Sequence, residues 1–256
     1  MKISGNTILI TGGGTGIGKQ LALKFKSLGN EVIICGRREN RLAEVSKENP
    51  GIHYLACDVA SENDRRALYD YVTKDFPETN VIINNGAFQV DRDLSLGEAE
   101  LDGIEQEVAS ILTGPMRLNG LFIPFLMEKR APVIINVTSL LAFIPAPPMP
   151  VYCSAKAGFH VYTLLLRARL ENTPIKVIEV IPPAVQTELN LEGRKKRTKP
   201  GAVYGGLQAE YYADYVINEL EKGSIDVFYE NEANLSGDRI MNGPRYDVEL
   251  TNLRPR

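Results

Sequence analysis

Seven short apolar runs alternate along this chain with segments of helical period, and that alternation restricts the fold more than any other feature. The runs cover residues 7–10, 31–35, 52–57, 80–83, 132–137, 175–181 and 225–229. Each is almost continuously hydrophobic, as strands are when both faces of their sheet are covered. Between them, residues 17–28 place Leu21, Phe25 and Leu28 on one helical face, and Gly29 supplies the stop. Residues 40–48, 62–75, 105–129, 151–171 and 207–222 read as helices too. The strict alternation predicts an α/β fold: one doubly wound parallel sheet of about seven strands with helices on both faces.

At 256 residues the whole chain fits one large domain, and no linker divides it. Two segments stand apart: residues 188–206, read as a mobile substrate loop, and residues 242–256, read as a tail over the surface. The first contains Gly193-Arg194-Lys195-Lys196-Arg197-Thr198-Lys199-Pro200-Gly201. Its basic run suits a solvated loop, and alternatively a nucleic-acid or nuclear-localisation patch. The net charge of −3 speaks against nucleic acid or an anionic membrane as the main partner. No stretch approaches the roughly 18 apolar residues of a membrane span, and the N-terminus carries no cleavage-site pattern. Cys35, Cys57 and Cys153 lack a C-x-x-C spacing, and His53 and His160 lie far apart. No metal site is therefore expected, and the reading is a reducing, cytoplasmic setting.

The first predicted strand runs into Thr11-Gly12-Gly13-Gly14-Thr15-Gly16-Ile17-Gly18, which opens the first helix. Glycine lets a backbone approach a pyrophosphate closely, and a helix N-terminus offers unpaired N–H groups and partial positive charge. Strand, glycine loop, helix and second strand together point to dinucleotide binding. Glycines 12, 16 and 18 give the spacing T-G-x-x-x-G-x-G, which resembles the short-chain dehydrogenases/reductases, a Rossmann-type family of oxidoreductases. Gly12, Gly14, Thr15, Gly16, Ile17 and Gly18 are the contacts expected from this loop.

At the end of the second strand stand Arg37 and Arg38. An acidic residue there would bind the adenosine ribose hydroxyls, whereas arginine suits a 2′-phosphate. The plainer alternative is that both arginines merely begin the exposed helix that follows. NADP(H) is accordingly expected over NAD(H). The resemblance implies that Asp58 and Val59 flank the adenine. It also implies cofactor contacts from Asn85 and Gly86, where Asn84-Asn85-Gly86-Ala87 exchanges the last two residues of the family's N-N-A-G. Pro182, Val185 and Thr187, in Pro182-Pro183-Ala184-Val185-Gln186-Thr187, would meet the nicotinamide end, with Pro183 in place of the family's glycine.

Tyr152-Cys153-Ser154-Ala155-Lys156 puts Tyr152 and Lys156 on one helical face at i and i+4. Ser139 closes an apolar strand upstream, at the kind of strand end where open α/β sheets bind ligands. Hydride transfer to a carbonyl leaves an alkoxide that must be protonated. A tyrosine of ordinary pKa, about 10, does this poorly at neutral pH, and a neighbouring ammonium favours its ionised form. Tyr152 is therefore assigned as general acid/base and Lys156 as its electrostatic partner, also able to hold cofactor ribose. Ser139 is assigned to the developing oxyanion. One departure concerns a fourth catalytic residue, an asparagine, that many family members carry in the long helix before the fifth strand. In an ungapped count Ile111 takes that place; Ser110 beside it, or a shift of one position, is the alternative.

Between Ser139 and Tyr152, residues 140–150 are apolar and include Pro145, Pro147, Pro148 and Pro150. Part of this stretch packs as a connector and part lines the substrate cavity, and with Phe88 it suits a small substrate with an apolar body. The leading reading is NADP(H)-dependent interconversion of a carbonyl and an alcohol. The alternatives are a non-redox step such as isomerisation or elimination, and a dinucleotide sensor without catalysis. Related proteins often pair through two long central helices, so the resemblance also implies a homo-oligomer.

Overall fold

Alternate residues of a strand point to opposite faces of its sheet, so a strand covered on both sides must be apolar throughout. The computed structural model describes residues 1–197 and 205–229. In it the apolar runs form one parallel sheet. Its strands are β1 (Thr7–Thr11), β2 (Glu31–Gly36), β3 (Ile52–Ala56), β4 (Thr79–Asn84), β5 (Val133–Val137), β6 (Lys176–Ile181) and β9 (Asp226–Phe228). Ile8 and Ile10 of β1 pack with Leu21 and Phe25 of α1 (Gly16–Ser27), Leu42 of α2 (Glu39–Glu48), and Tyr212 and Leu220 of α8 (Ala209–Lys222). Leu9, between them, faces the other side. It joins Leu68 and Val72 of α3 (Glu62–Asp75), Phe122 of α5 (Gly114–Leu126) and Leu166 of α6 (Pro150–Arg169). Each fully buried Leu, Ile or Phe contributes about 1.5–3 kcal/mol, so the two faces are comparably anchored.

The strand order is β3-β2-β1-β4-β5-β6-β9, which makes this a Rossmann-type doubly wound sheet. The chain winds outward from β1 to β3, then returns to place β4 on the other side of β1. Where the winding reverses, the connections at the carboxyl ends of β1 and β4 part and leave a crevice.

One rung of the sheet is polar. Asn84, Asn136 and Glu179 stand in register on β4, β5 and β6, and all three are buried. Asn84 Nδ2 donates to Asn119 Oδ1 of α5 at 2.8 Å and to Asn136 Oδ1 at 2.9 Å. Asn136 Nδ2 donates to Thr163 Oγ1 of α6 at 3.0 Å. Buried amides need such partners, and these bonds seat both helices on the sheet in one arrangement.

Three stretches differ from the expected elements. Residues 105–129 are not one uninterrupted α-helix: α4 (Ile104–Val108) passes through a π-helical turn (Ala109–Thr113) into α5. Residues 207–208 form a strand before α8 begins, pairing in parallel as β8 (Leu207–Gln208) with β7 (Val185–Gln186). Within the basic run, α7 (Leu191–Arg197) is a short helix. The rest of that run to residue 204, and the tail at 242–256, lie outside the described residues. Among the described residues no helix is long and apolar enough to cross a membrane, and no cluster of side chains has the make-up of a metal site. Cys35, Cys57 and Cys153 are free and buried.

Candidate active site

The glycine loop turns as tightly as its composition allows. Gly12 has φ +68°, and a Cβ there would lie 2.7 Å from Gly86 Cα. A Cβ on Gly18 would lie 2.5 Å from Asn85 Nδ2. Asn85 explains this closeness, because it stitches the end of β4 to the end of β1. Its N–H donates to Thr11 Oγ1 at 3.0 Å, its Nδ2 donates to the Thr11 carbonyl at 3.0 Å, and the Gly86 N–H donates to Thr11 Oγ1 at 2.9 Å. At the start of α1, Thr15 makes no side-chain cap and the first turn holds no acidic residue. The helix thus presents its N–H groups to the crevice, the arrangement that suits a phosphate.

The crevice opens into a cleft of about 660 Å³. Gly12, Gly14, Thr15, Gly16 and Ile17 line it, as do Arg37, Arg38, Asp58, Val59, Asn85, Gly86, Pro182, Val185 and Thr187. Gly18 does not line it; it is buried behind the loop, where its lack of a side chain lets α1 close on Gly12. At one end, Arg37 stacks over the Phe88 ring, 4.8 Å from its centroid. Arg38 Nη2 donates to Thr15 Oγ1 at 2.9 Å, and its Nη1 meets Glu188 Oε2 at 2.7 Å. Arg41 reaches the other Glu188 oxygen at 3.3 Å. These two arginines hold the Glu188 carboxyl below its ordinary range, the Arg38 hydrogen bond being the main cause. Arg41 and Glu188 carried no signal in the sequence, because each gains its meaning from a neighbour more than 140 positions away.

At the other end stand Ser139, Tyr152 and Lys156, all three buried and all lining the same cleft. Ser139 follows β5, and its Oγ accepts the Leu141 N–H at 3.1 Å, which fixes the hydroxyl at the turn. Tyr152 and Lys156 come from the first turns of α6, and Lys156 Nζ lies 5.8 Å from the Tyr152 ring centroid. That Nζ donates to the Val137 carbonyl at 2.7 Å. Burial pushes the lysine down to about 7, with the charge of Glu179 acting in the opposite direction. An ammonium so poised is an effective electrostatic partner for a phenol. The wall at this end is apolar, with Leu140, Leu141 and Met149, whereas Phe88 lies under Arg37 at the opposite end. Phe143, from the same proline-rich stretch, instead packs on His160 at 4.5 Å.

The two residues weighed for the fourth position, Ile111 and Ser110, both lie in the π-helical turn and have different surroundings. Ile111 is fully buried in an apolar cluster with Met149, Tyr152, Cys153 and Ala155. Ser110 is the residue that lines the cleft, and its buried Oγ has no hydrogen-bond partner among the described residues.

Comparison with known proteins identifies the family. The profile of the family described as short chain dehydrogenase matches residues 6–198. The chain is similar to the uncharacterized oxidoreductase DltE of Bacillus subtilis (strain 168), with 44% identity over 230 residues and 90% of each chain covered. In fold it resembles a short chain dehydrogenase from Burkholderia cenocepacia J2315 in complex with NADP (TM-score 0.82, 21% identity, 100% of each chain covered). It also resembles a short chain dehydrogenase/reductase from Burkholderia phymatum in complex with NAD (TM-score 0.81, 19% identity, covering 100% of this chain and 97% of that one). The chain belongs to the short-chain dehydrogenase/reductase family of nicotinamide-dependent oxidoreductases.

Proposed function

We propose that the protein is an NADP(H)-dependent oxidoreductase that interconverts a carbonyl and an alcohol on a small, largely apolar substrate. The observation that carries this reading is the joining, in one cleft, of an arginine-lined end beside the glycine loop with an end where Ser139, Tyr152 and Lys156 meet. The cleft fits a dinucleotide on its own terms: its glycines leave room that any Cβ would fill, and the N-terminus of α1 is uncapped. When bound, the nicotinamide supplies or accepts the hydride.

The residues of this chain account for the rest. Gly14, Thr15, Gly16 and Ile17 would hold the pyrophosphate, with Asp58 and Val59 beside the adenine. Arg37 and Arg38, joined by Arg41, would take the 2′-phosphate by charge-assisted hydrogen bonds. Val185, Thr187 and Pro182 would position the nicotinamide. Tyr152 gives its proton to the alkoxide oxygen in reduction and takes it back in oxidation, Lys156 favours the phenolate, and Ser139 donates to the same oxygen. The apolar wall of Leu140, Leu141 and Met149 favours a substrate whose body is apolar around one polar centre. Pairing of two copies through α5 and α6 belongs to the same reading, supported by Val161 and Leu165, 51% and 65% exposed on α6.

A screen of aldehydes and ketones that follows loss of NADPH absorbance, repeated with NADH, tests the proposal. Turnover with NADPH at a rate well above NADH is the expected result. Cofactor binding with no carbonyl turnover across the screen would turn the assignment toward a non-redox reaction.

A further inference from the structure

Beside the catalytic trio lies a buried acid that the chemistry above does not use. Glu179 is fully buried on β6, in the polar rung it shares with Asn84 and Asn136. Its carboxylate accepts from Thr138 Oγ1 at 2.6 Å, and its two oxygens lie 2.9 and 3.0 Å from His160 Nδ1. A carboxylate only accepts, so Nδ1 carries the proton in this contact. His160 stands one turn beyond Lys156 on α6, nearly buried, edge-on to Phe143. Thr138 lies between Val137, whose carbonyl receives Lys156 Nζ, and Ser139. Both donors to Glu179 are therefore tied in sequence or helical register to the catalytic groups themselves.

A buried carboxylate is costly, and an apolar side chain would fill this place in the sheet more cheaply. Two aligned donors make Glu179 tolerable without accounting for its presence. Lys156 gives it a purpose: among the described residues this buried lysine makes no direct ion pair, while its own acceptor, the Val137 carbonyl, adjoins Thr138 and its helical neighbour at i+4 is His160, the two groups that hold Glu179. Among the described residues, the elements packed on α6 bring Glu179 from β6 and the Glu107–Arg92 pair from the side of α4, whose charges offset each other at 3.0 Å, and the helix itself adds Tyr152, Cys153 and His160.

Resting on the catalytic reading of Tyr152 and Lys156, we propose that Glu179, held by His160 and Thr138, is a positioning residue that keeps Lys156 in its ammonium form. Without it, burial wins, the lysine gives up its proton at lower pH, and the phenol of Tyr152 loses the charge that favours its ionisation. The device sets the pH range of the reaction without touching substrate.

The test is a titration of Lys156 by NMR on isotope-labelled lysine, its signal identified by loss in Lys156→Met. In Glu179→Gln the lysine midpoint should fall by about one pH unit, a tenfold change, as expected when a nearby opposite charge is removed. The acid limb of the kcat/KM profile for alcohol oxidation should move to higher pH in the same variant. A purely structural role would lower melting temperature and rate while moving neither. A folded Glu179→Gln protein with both unmoved overturns the proposal. If that variant does not fold, His160→Gln, which keeps a donor toward the carboxylate, should retain the lysine midpoint while His160→Phe lowers it; equal midpoints overturn the proposal as well. Full turnover in Tyr152→Phe would mark failure of the catalytic reading itself. An inactive Tyr152→Phe beside unmoved midpoints in Glu179→Gln marks failure of this inference alone.

Discussion

Arg38 and Glu188 meet at 2.7 Å across the mouth of the cleft, joining the end of β2 to the segment that follows β7. On the proposed reading, a 2′-phosphate would compete with Glu188 for the same guanidinium. Glu188→Gln should therefore tighten NADPH binding several-fold while leaving NADH nearly unchanged. Arg38→Ala should weaken NADPH by about 10-fold or more, the scale of one charge-assisted hydrogen bond, again with little effect on NADH. Fluorescence titration with both cofactors reads this directly, and parallel changes for the two would remove the 2′-phosphate from the explanation.

Tyr152→Phe keeps the ring that packs against Ile111 and Met149 and removes only the hydroxyl. Cofactor affinity should stay within about 3-fold, and carbonyl reduction should fall by at least about 10²-fold, the usual contribution of a positioned acid. Turnover near that of the parent enzyme would place the protonation elsewhere.

Lys156 makes a prediction about stability. Its pKa is lowered from the ordinary 10.5 to about 7 in the folded chain, so between those values the unfolded chain binds more protons and stability rises with pH. Below about 7 the folded protein carries the full cost of a buried charge. Lys156→Met removes that cost and should raise stability at pH 6, by an amount on the order of a few kcal/mol less the lost bond to Val137. The gain should vanish toward pH 10. Urea unfolding of both proteins at the two pH values checks it, and a gain independent of pH would contradict the assigned cause.

Ser110 and Ile111 separate two roles that adjacent numbers would confuse. Ser110→Ala deletes a buried hydroxyl that has no partner among the described residues and should leave the melting temperature unchanged or higher. If that hydroxyl helps to move protons at the cleft, turnover falls several-fold and the solvent isotope effect grows. Ile111→Asn should instead destabilise by about 2 kcal/mol or more, since it buries an amide in an apolar cluster. A Ser110→Ala enzyme with unaltered turnover and isotope effect would leave Ser110 as a wall residue only.

Much of this molecule is legible in its sequence, and the reason is physical. The strands could be read because both faces of the sheet are buried, which makes residues such as Ile8, Leu9 and Ile10 apolar without a break. The glycine loop and the Tyr152–Lys156 pair are local patterns whose geometry follows from spacing alone. What escaped depended on contacts distant in the chain or on an irregular backbone. Glu179 looks like a charged interruption in β6 until His160 and Thr138 are beside it. Glu188 and Arg41 are ordinary surface residues until the fold brings them together. The different surroundings of Ser110 and Ile111 could not be read either, because no count of 3.6 residues per turn anticipates a π turn.

The parallel pairing of β7 with β8 has a consequence for how such a protein changes over generations. Val185 and Gln186 lie beside Leu207 and Gln208, and the Gln208 Nε2 donates to Gln186 Oε1 at 2.7 Å. The two ends of everything between them, which starts at the mouth of the cleft, are thereby clasped together at the base. Lengthening a segment whose ends are already joined costs little: each doubling adds only about 0.6 kcal/mol of closure entropy. Insertions, deletions and wholesale replacements there need not disturb α8 or the sheet. Selection can thus exchange what lies between the clasped ends like a cassette while the elements that carry Ser139, Tyr152 and Lys156, β5 and α6, are inherited intact.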